Sequence, residues 1–130
     1  YQFTVTAPTE GWVSLGFEPS SVMKDSESII LSNLKGNGLI YHYFGTAREV
    51  VTPISTLDSA YKNDNLAVKS FSYDGKVSTY VFVRTEKVKN KYIKELTPGK
   101  KIKILFAYST SSDISSMHAK AGSETVTLPN

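Results

Sequence analysis

Residues 66–84 read LAVKSFSYDGKVSTYVFVR, two runs of alternating apolar residues on either side of a turn signal. In residues 66–73 and 77–84, β-branched and aromatic side chains alternate with polar ones, which is typical of a strand with one buried face. Asp74 and Gly75 lie between the runs, and both tolerate the positive φ that a type I′ turn demands. This stretch therefore predicts a tight β-hairpin.

Similar short runs, rich in β-branched and aromatic residues, recur along the chain. They are residues 1–6, 12–17, 28–31, 39–44, 49–54 and 102–108, with a further alternation at 125–128. Helical periodicity is nearly absent: residues 55–61 suit one or two turns, and residues 112–120 suit a short helix or an ordered loop. We therefore predict an all-β fold, an antiparallel immunoglobulin-like β-sandwich, with a barrel as the second choice.

Length and composition indicate a folded domain. The 130 residues suit one domain, and 40% are hydrophobic and 21% charged. No apolar run approaches the roughly 20 residues that cross a bilayer. The lack of cysteine excludes disulfides, iron–sulfur clusters, thiolate zinc and covalent c-type haem. Because the chain opens at Tyr1 inside a predicted strand, a processed or excised form is expected, with any signal peptide or anchor outside it.

The formal net charge of +3 comes mostly from residues 87–103, which hold seven lysines and one glutamate. Lysine-rich flanks usually solubilise an edge strand and its loop. A basic patch also suits an acidic partner or nucleic acid, but no arginine cluster or nucleic-acid motif supports the second. Nucleic acid is therefore not an expected partner.

The usual catalytic motifs are missing, so the chain is not expected to be an enzyme by itself. It has no Cys nucleophile, Gly-x-Ser-x-Gly elbow, Gly-rich phosphate loop or His-Glu-x-x-His pair. Asp25 and Glu27 are close in sequence, but acidic residues in a loop before a strand are usually solvated. What remains is a set of soft ligands suited to haem iron or copper: Met23, Met117, His42 and His118.

Residues 11–30 read GWVSLGFEPSSVMKDSESII, a Trp-containing strand ending in Gly-Phe, a loop with a Met, an acidic residue and a buried strand. This order closely resembles the opening of DOMON domains, the family named for the N-terminal domain of dopamine β-monooxygenase. The family includes the cytochrome domain of cellobiose dehydrogenase. Residues 80–84 resemble its Phe-x-Arg strand and residues 104–108 its late aromatic strand. His118 then follows where haem-binding members carry their His.

The resemblance implies one non-covalent haem b, ligated axially by Met23 and His118 at one end of the sandwich. It implies electron transfer, because both axial positions are closed, in an extracytoplasmic setting with a redox protein or membrane cytochrome as partner. The basic residues 87–103 are expected to steer an acidic partner. Three other ligands stay open: Met117, which is more plausibly packed against the porphyrin or in the core; His42; and, as a remote candidate, Lys120.

Several side chains are candidates to surround such a haem, although a sandwich core would use the same residues. The lining candidates are Phe17, Val22, Tyr41, Tyr43, Phe44 and Tyr108, and the propionate candidates are Tyr hydroxyls, Lys24 and Arg84. Arg84 is equally suited to a buried structural ion pair.

Three rival functions remain. The leading alternative is a carbohydrate-binding module without haem, stacking sugars on some of the eight tyrosines or on Trp12, although Trp12 looks more like core. The others are a copper-handling protein that uses the four Met and His residues, and a purely structural interaction domain.

Overall fold

The computed structural model describes residues 1–61, 65–85 and 90–130. Within these ranges the chain forms nine strands and one short helix. The elements are β1 (Gln2–Ala7), β2 (Val13–Phe17), β3 (Glu27–Leu34), β4 (Asn37–Ala47), β5 (Val50–Pro53), α1 (Ile54–Leu57), β6 (Leu66–Tyr73), β7 (Ser78–Arg84), β8 (Lys101–Tyr108) and β9 (Lys120–Thr127). No helix in the described ranges is long and apolar enough to cross a membrane.

Two antiparallel sheets enclose one apolar core, which confirms the predicted all-β sandwich. The small sheet has the strand order β1-β7-β6, and the large sheet has the order β5-β4-β3-β2-β8-β9. Alternate residues of the central strands fill the space between the sheets. The buried core residues are Ala7, Val13, Leu15, Phe17, Ile29, Leu31, Leu66, Tyr80, Phe82, Leu96, Ile102 and Leu128.

The β6–β7 hairpin is present, but its turn is wider than the sequence predicts. Tyr73 pairs with Ser78, so four residues form the connection. The Asp74 carboxylate accepts hydrogen bonds from the backbone N–H groups of Lys76 at 2.9 Å and of Val77 at 2.8 Å. Of the predicted turn pair, Gly75 alone has a positive φ, +95°. The type I′ prediction is wrong because the Asp74 side chain organises a longer turn.

The strand β9 is longer than its sequence pattern indicates. Alternation is visible only at residues 125–128, whereas the strand runs from Lys120 to Thr127. As an exposed edge strand that pairs only with β8, it has few apolar residues to reveal its period. The helical prediction for residues 55–61 reduces to the four residues of α1, and residues 109–119 form an ordered loop.

A buried ion pair joins the two sheets. Glu27 begins β3, Arg84 ends β7, and neither is exposed to solvent. Arg84 Nε donates to Glu27 Oε2 at 2.8 Å, and Arg84 Nη2 donates to Oε1 at 2.6 Å. The Lys94 backbone N–H donates to Glu27 Oε1 at 2.6 Å, and its carbonyl accepts from Arg84 Nη2. Arg84 is thus the structural ion-pair partner, and the expectation that Glu27 is solvated is wrong because its side chain points into the core.

His42 extends this network along β4. Its Nε2 lies 2.7 Å from Glu27 Oε2, and its Nδ1 contacts the Tyr61 hydroxyl, which donates to Asn65 Oδ1 at 3.2 Å. Burial by itself would raise the pKa of Glu27. The hydrogen bonds from His42 and Arg84, together with the Arg84 charge, outweigh burial and hold this pKa below its ordinary value of 4.5. Glu27 is therefore ionised in the folded protein at neutral pH.

We expect Glu27→Gln to lower the free energy of unfolding at neutral pH by about 3–5 kcal/mol, because it removes one charge of a buried, hydrogen-bonded ion pair. Since the folded-state pKa of Glu27 lies below 4.5, its stabilisation is complete above pH 4.5 and is lost as the pH falls through the lowered pKa. Urea unfolding across this pH range should show the wild type and the variant converging in acid.

The matched control is Glu124→Gln, which removes an exposed carboxylate from β9. This variant should change stability by less than about 0.5 kcal/mol. An equal loss in both variants, or a difference between wild type and Glu27→Gln that does not narrow in acid, would contradict the assigned role.

Candidate functional site

The outer face of the large sheet is the face turned away from the small sheet. In β2, Val13, Leu15 and Phe17 point into the core, so Ser14 and Gly16 point outward. The strand registers place these residues on the same outer face: Ser28 and Ile30 in β3, Tyr41 and Tyr43 in β4, Leu105 and Ala107 in β8, and Ala121 and Ser123 in β9. The outer face is therefore a platform with mostly small side chains at its centre and two half-buried tyrosines on its β4 side.

Residues 18–26, the Met23 loop, connect β2 to β3 and fold onto one end of the outer face. The Met23 N–H donates to the Arg48 carbonyl at 3.0 Å, and the Ser26 hydroxyl donates to the Met23 carbonyl at 2.7 Å. Gly45 of β4 lies beneath the loop, and a Cβ there would stand 1.8 Å from the Met23 carbonyl oxygen. Glycine at this position therefore admits the loop backbone onto the sheet and leaves the Met23 side chain half-buried.

The backbone of the Met23 loop is strained. Glu18, Val22 and Asp25 have φ values of 55°, 54° and 64°, a region that non-glycine residues seldom adopt and that β-branched residues avoid. Such residues cost about 1–3 kcal/mol each and persist where surrounding contacts fix them. Here the Ser20 hydroxyl donates to Asp25 Oδ2 at 2.5 Å, and the Ser20 N–H donates to the Lys24 carbonyl at 2.8 Å. These bonds hold the loop in its shape.

Residues 109–119, the His118 loop, fold onto the other end of the outer face. Ser32, an outer-face residue of β3, donates its hydroxyl proton to the Ser112 carbonyl at 2.7 Å. Trp12 lies on the same face and is only 7% exposed because the loop covers it. Its indole Nε1 donates to Ser116 Oγ at 3.0 Å. Trp12 is thus buried, as the sequence indicated, and what covers it is this loop.

The Met23 and His118 loops lie at opposite ends of β2. Because β2 and β8 are antiparallel, Phe17 pairs with Ile104 and Val13 pairs with Tyr108. The expectation that the two loops meet at one end of the sandwich is therefore wrong. The five residues of β2 span about 13 Å, and the loops border one outer face from its two ends. Met23 is half-buried there, and His118 is exposed.

The other ligand candidates lie elsewhere. The His42 ring is buried on the core side, and both of its nitrogens are engaged by Glu27 and Tyr61. Met117 is 88% exposed, so it is not a core residue. Lys120 pairs with Tyr108 and shares its core-facing side, opposite to the outer face. His42 and Met117 therefore do not join Met23 and His118 in a four-residue copper site, and the described residues contain no cluster of three or more His, Asp or Glu that suits a metal ion.

Of the residues predicted to line a haem, only the two tyrosines Tyr41 and Tyr43 lie on the outer face. Burial, and then the neighbouring Tyr41, raise the pKa of Tyr43, so its phenol stays neutral. The remaining candidates divide between the core-facing side (Phe17, Phe44 and Tyr108) and the Met23 loop (Val22, 48% exposed). Among the propionate candidates, Arg84 is committed to Glu27 and Lys94.

The basic stretch lies beside the Met23 loop. Lys101 and Lys103 are exposed at the start of β8 and share the side of Leu105 on the outer face. The Glu18 N–H donates to the Lys103 carbonyl at 2.9 Å, and Lys100 lies 3.6 Å from the Glu18 carboxylate. The strand β8 is flanked by β2 and β9 and is not an edge strand. The predicted basic residues Lys87 and Lys89 lie outside the described residues.

Two solved cytochrome domains share this fold. The cytochrome b domain of pyranose dehydrogenase from Coprinopsis cinerea has a TM-score of 0.71 at 12% identity, covering 97% of this chain and 66% of that one. The cytochrome domain of cellobiose dehydrogenase from Myriococcum thermophilum has a TM-score of 0.60 at 10% identity, covering 98% and 64%. The chain thus spans just under two thirds of the length of each, and at these identities the likeness establishes the fold alone.

The chain is therefore a two-sheet β-sandwich with the fold seen in those cytochrome domains. It belongs to the DOMON domain family, whose model matches residues 1–109, and this confirms the resemblance noted in the sequence. The matched residues include Trp12 and Met23 and end before His118. A comparison with curated proteins finds no match.

We expect Gly45→Ala to displace the Met23 loop, because the new methyl group would meet the Met23 carbonyl oxygen at 1.8 Å. Overpacking of this kind typically costs about 1–3 kcal/mol. Thermal or urea unfolding measures the loss, and the backbone amide chemical shifts of residues 23–26 report the displacement.

Gly122→Ala is the matched control in β9. Its methyl group would meet the Phe106 ring at 2.8 Å, but that ring is 44% exposed and can rotate away. The control should be nearly neutral and leave the amides of residues 23–26 unchanged. A Gly45→Ala protein as stable as wild type, with unshifted loop amides, would show that the close approach does not hold the loop.

Proposed function

We propose that residues 1–130 form one haem b-binding electron-transfer module with Met23 and His118 as the axial iron ligands. The observation that carries this proposal is the position of their loops, which border one sheet face from opposite ends. Axial ligands reach iron from opposite sides of the porphyrin, so two loops that face each other suit this task. Membership of the DOMON family, and two fold relatives described as cytochrome domains, support the proposal.

The outer face between the loops suits a flat, largely apolar group. Gly16 has no side chain, so nothing projects from the sheet at this central position. A Cβ there would lie 3.3 Å from Leu105 Cβ. The half-buried Tyr43 offers apolar surface on the β4 side of the platform. Lys101 and Lys103 on the same face offer cations for carboxylates. If haem binds there, Lys101 and Lys103 would be the residues to hold its propionates.

The chain's own residues would set how the iron is held. Bound haem b supplies an iron that gains and loses one electron. Met23 offers a neutral thioether, and His118 offers an imidazole that must be neutral at the ligating nitrogen, so acid competes with its binding. With Met23 and His118 as its two ligands, the iron would have no open position, so the module would carry electrons and would not activate oxygen. We accordingly propose a non-catalytic module.

A carbohydrate-binding module without haem is the second candidate. A pocket of about 420 Å³ beside β4 and the end of β5 favours it. The pocket is lined by Ile40, Tyr41, His42, Tyr43, Pro53, Ser55 and Tyr61. The tyrosine rings and Pro53 provide apolar surface on which a sugar ring stacks. Trp12 is buried beneath the His118 loop and does not form such a platform.

We further propose an extracytoplasmic setting, whether secreted, periplasmic or cell-surface, because the resemblance to haem-binding DOMON domains implies one. The partner would be a redox protein or a membrane cytochrome. Lys101 and Lys103 stand on the face that would carry the haem, so an acidic partner would be steered toward that face.

Hemin added to the purified protein should be taken up stoichiometrically and give a sharp Soret band, with resolved α and β bands after dithionite. This is the optical spectrum of a six-coordinate low-spin b-type cytochrome. Met23→Leu removes the thioether and His118→Ala removes the imidazole, so each variant should give a five-coordinate high-spin spectrum. Added imidazole should restore the low-spin spectrum of His118→Ala.

Met117→Leu is the matched control, because it makes the same chemical change at an 88% exposed methionine next to His118. Its spectrum should equal that of the wild type. A six-coordinate His118→Ala protein without added imidazole would overturn the ligand assignment. Wild-type protein that takes up no hemin would overturn the haem proposal, and glycan titrations with Tyr41→Ala would then test the pocket.

The reduced module should be reoxidised by ferricyanide, an anionic probe, at a rate that falls as salt rises. Lys101→Ser/Lys103→Ser should slow this reaction by about 3- to 10-fold at low salt and flatten its salt dependence. Lys76→Ser, in the β6–β7 turn, is the control and should react like the wild type. A wild-type rate that does not depend on ionic strength would contradict the steering role.

A further inference from the structure

The hydroxyl group of Ser116, two residues before His118, uses all of its hydrogen-bonding capacity. Its proton goes to the Asp113 carbonyl at 2.6 Å. Trp12 Nε1 at 3.0 Å and Ser109 Oγ at 3.1 Å occupy the two acceptor sites of the same oxygen. Because a serine hydroxyl has one proton and two lone pairs, Ser109 must be the donor in its contact. The Trp12 indole supplies the remaining bond.

The indole N–H of Trp12 in turn has the Ser116 hydroxyl oxygen as its acceptor. Its indole has a single polar group, a donor, and the side chain is only 7% exposed, so an unmet N–H would carry a desolvation cost. The backbone of Trp12 is fixed against the same loop: its N–H donates to the Ser111 carbonyl and its carbonyl accepts from the Ser109 N–H, both at 2.9 Å. The indole is therefore a rigid donor aimed at the middle of the His118 loop.

The bond at Ser116 leaves a short free segment. The next anchor is Ala119, whose N–H donates to the Tyr108 carbonyl at 2.7 Å. Met117 and His118 alone lie between these two anchors, and both are exposed. We propose that Trp12 is a positioning residue whose indole N–H, through Ser116, fixes where His118 stands at the end of the outer face. That His118 is placed for haem rests on the proposed function, whereas the restraint on its loop rests on the hydrogen bonds alone.

The first test uses the haem-free protein. In Trp12→Phe, which keeps an aromatic ring and removes the N–H, amide hydrogen exchange in residues 110–119 should be about 3- to 10-fold faster than in the wild type, as expected for one lost hydrogen bond. Ser116→Ala removes this bond together with those to Asp113 and Ser109, so it should accelerate exchange at least as much. Ser116→Thr keeps the hydroxyl and should exchange as slowly as the wild type. Ser115→Ala is the control, because its side chain bonds only to Asp113 on the exposed side of the loop.

The two changes should also be non-additive, because Ser116→Ala already removes the bond that Trp12→Phe removes. In a Ser116→Ala background, Trp12→Phe should accelerate exchange no further. Trp12 is the one tryptophan of the chain, so the fluorescence emission of Ser116→Ala should shift to longer wavelength as the indole becomes wetter. Unchanged loop exchange in Trp12→Phe, or full additivity of the two changes, would overturn the inference whether or not haem binds.

The second test uses the haem-loaded protein. Trp12→Phe should lower the six-coordinate low-spin fraction and shift the reduction potential. Ser116→Ala should shift the potential too, whereas Ser116→Thr should keep the wild-type potential. A loosened loop with an unchanged potential and spectrum would reduce Trp12 to a structural residue and overturn the positioning role. Failure of the wild type to bind haem would instead overturn the proposed function. Amide exchange in residues 110–119 would then be the test of whether the bond from Trp12 to Ser116 restrains the loop.

Discussion

The carboxylate of Glu27 and the guanidinium of Arg84 meet in the space between the two sheets, out of contact with water. The pair fixes the register of β3, because a slip of one residue would turn Glu27 to the outer face and break its buried ion pair with Arg84. Lys94 bonds to the same pair, so the loop before β8 is fixed with it. The Met23 loop ends where Glu27 begins β3. The position of the loop on the sheet therefore depends on this ion pair.

The two faces of the large sheet have different side chains for different tasks. The core-facing side carries large apolar residues such as Phe17 and Ile29, which bury the area that holds the sheets together. The outer face carries glycine and serine at the same strands, and these residues leave room above the sheet. A loop closes each end of that face. The sandwich thus serves as a rigid support, and its outer face is the surface on which we propose that haem binds.

The two histidines show why residue type alone does not identify a ligand. His42 has the chemistry of a metal ligand, but it lies in a buried network in which Glu27 and Tyr61 engage both ring nitrogens. His118 is exposed in a loop held by Trp12 through Ser116. The difference is one of partners: a histidine whose nitrogens are already bonded stabilises the fold, and one at an exposed loop is able to take a ligand.

The sequence by itself determined the all-β sandwich and most strands, because alternation and turn residues are local properties that neighbouring residues reveal, and the resemblance of residues 11–30 to a known motif indicated the family. It also offered a structural ion pair as one role for Arg84, which the structure confirms, and it suggested Met23 and His118 as ligands, which stays a proposal. Only the tertiary structure decided that the two loops lie at opposite ends of β2, that Glu27 is buried, and that Trp12 lies under the His118 loop. These facts depend on which strands pair and in which direction, and on contacts between residues as far apart as Trp12 and Ser116. No local pattern carries that information, since antiparallel pairing across the sheet creates it.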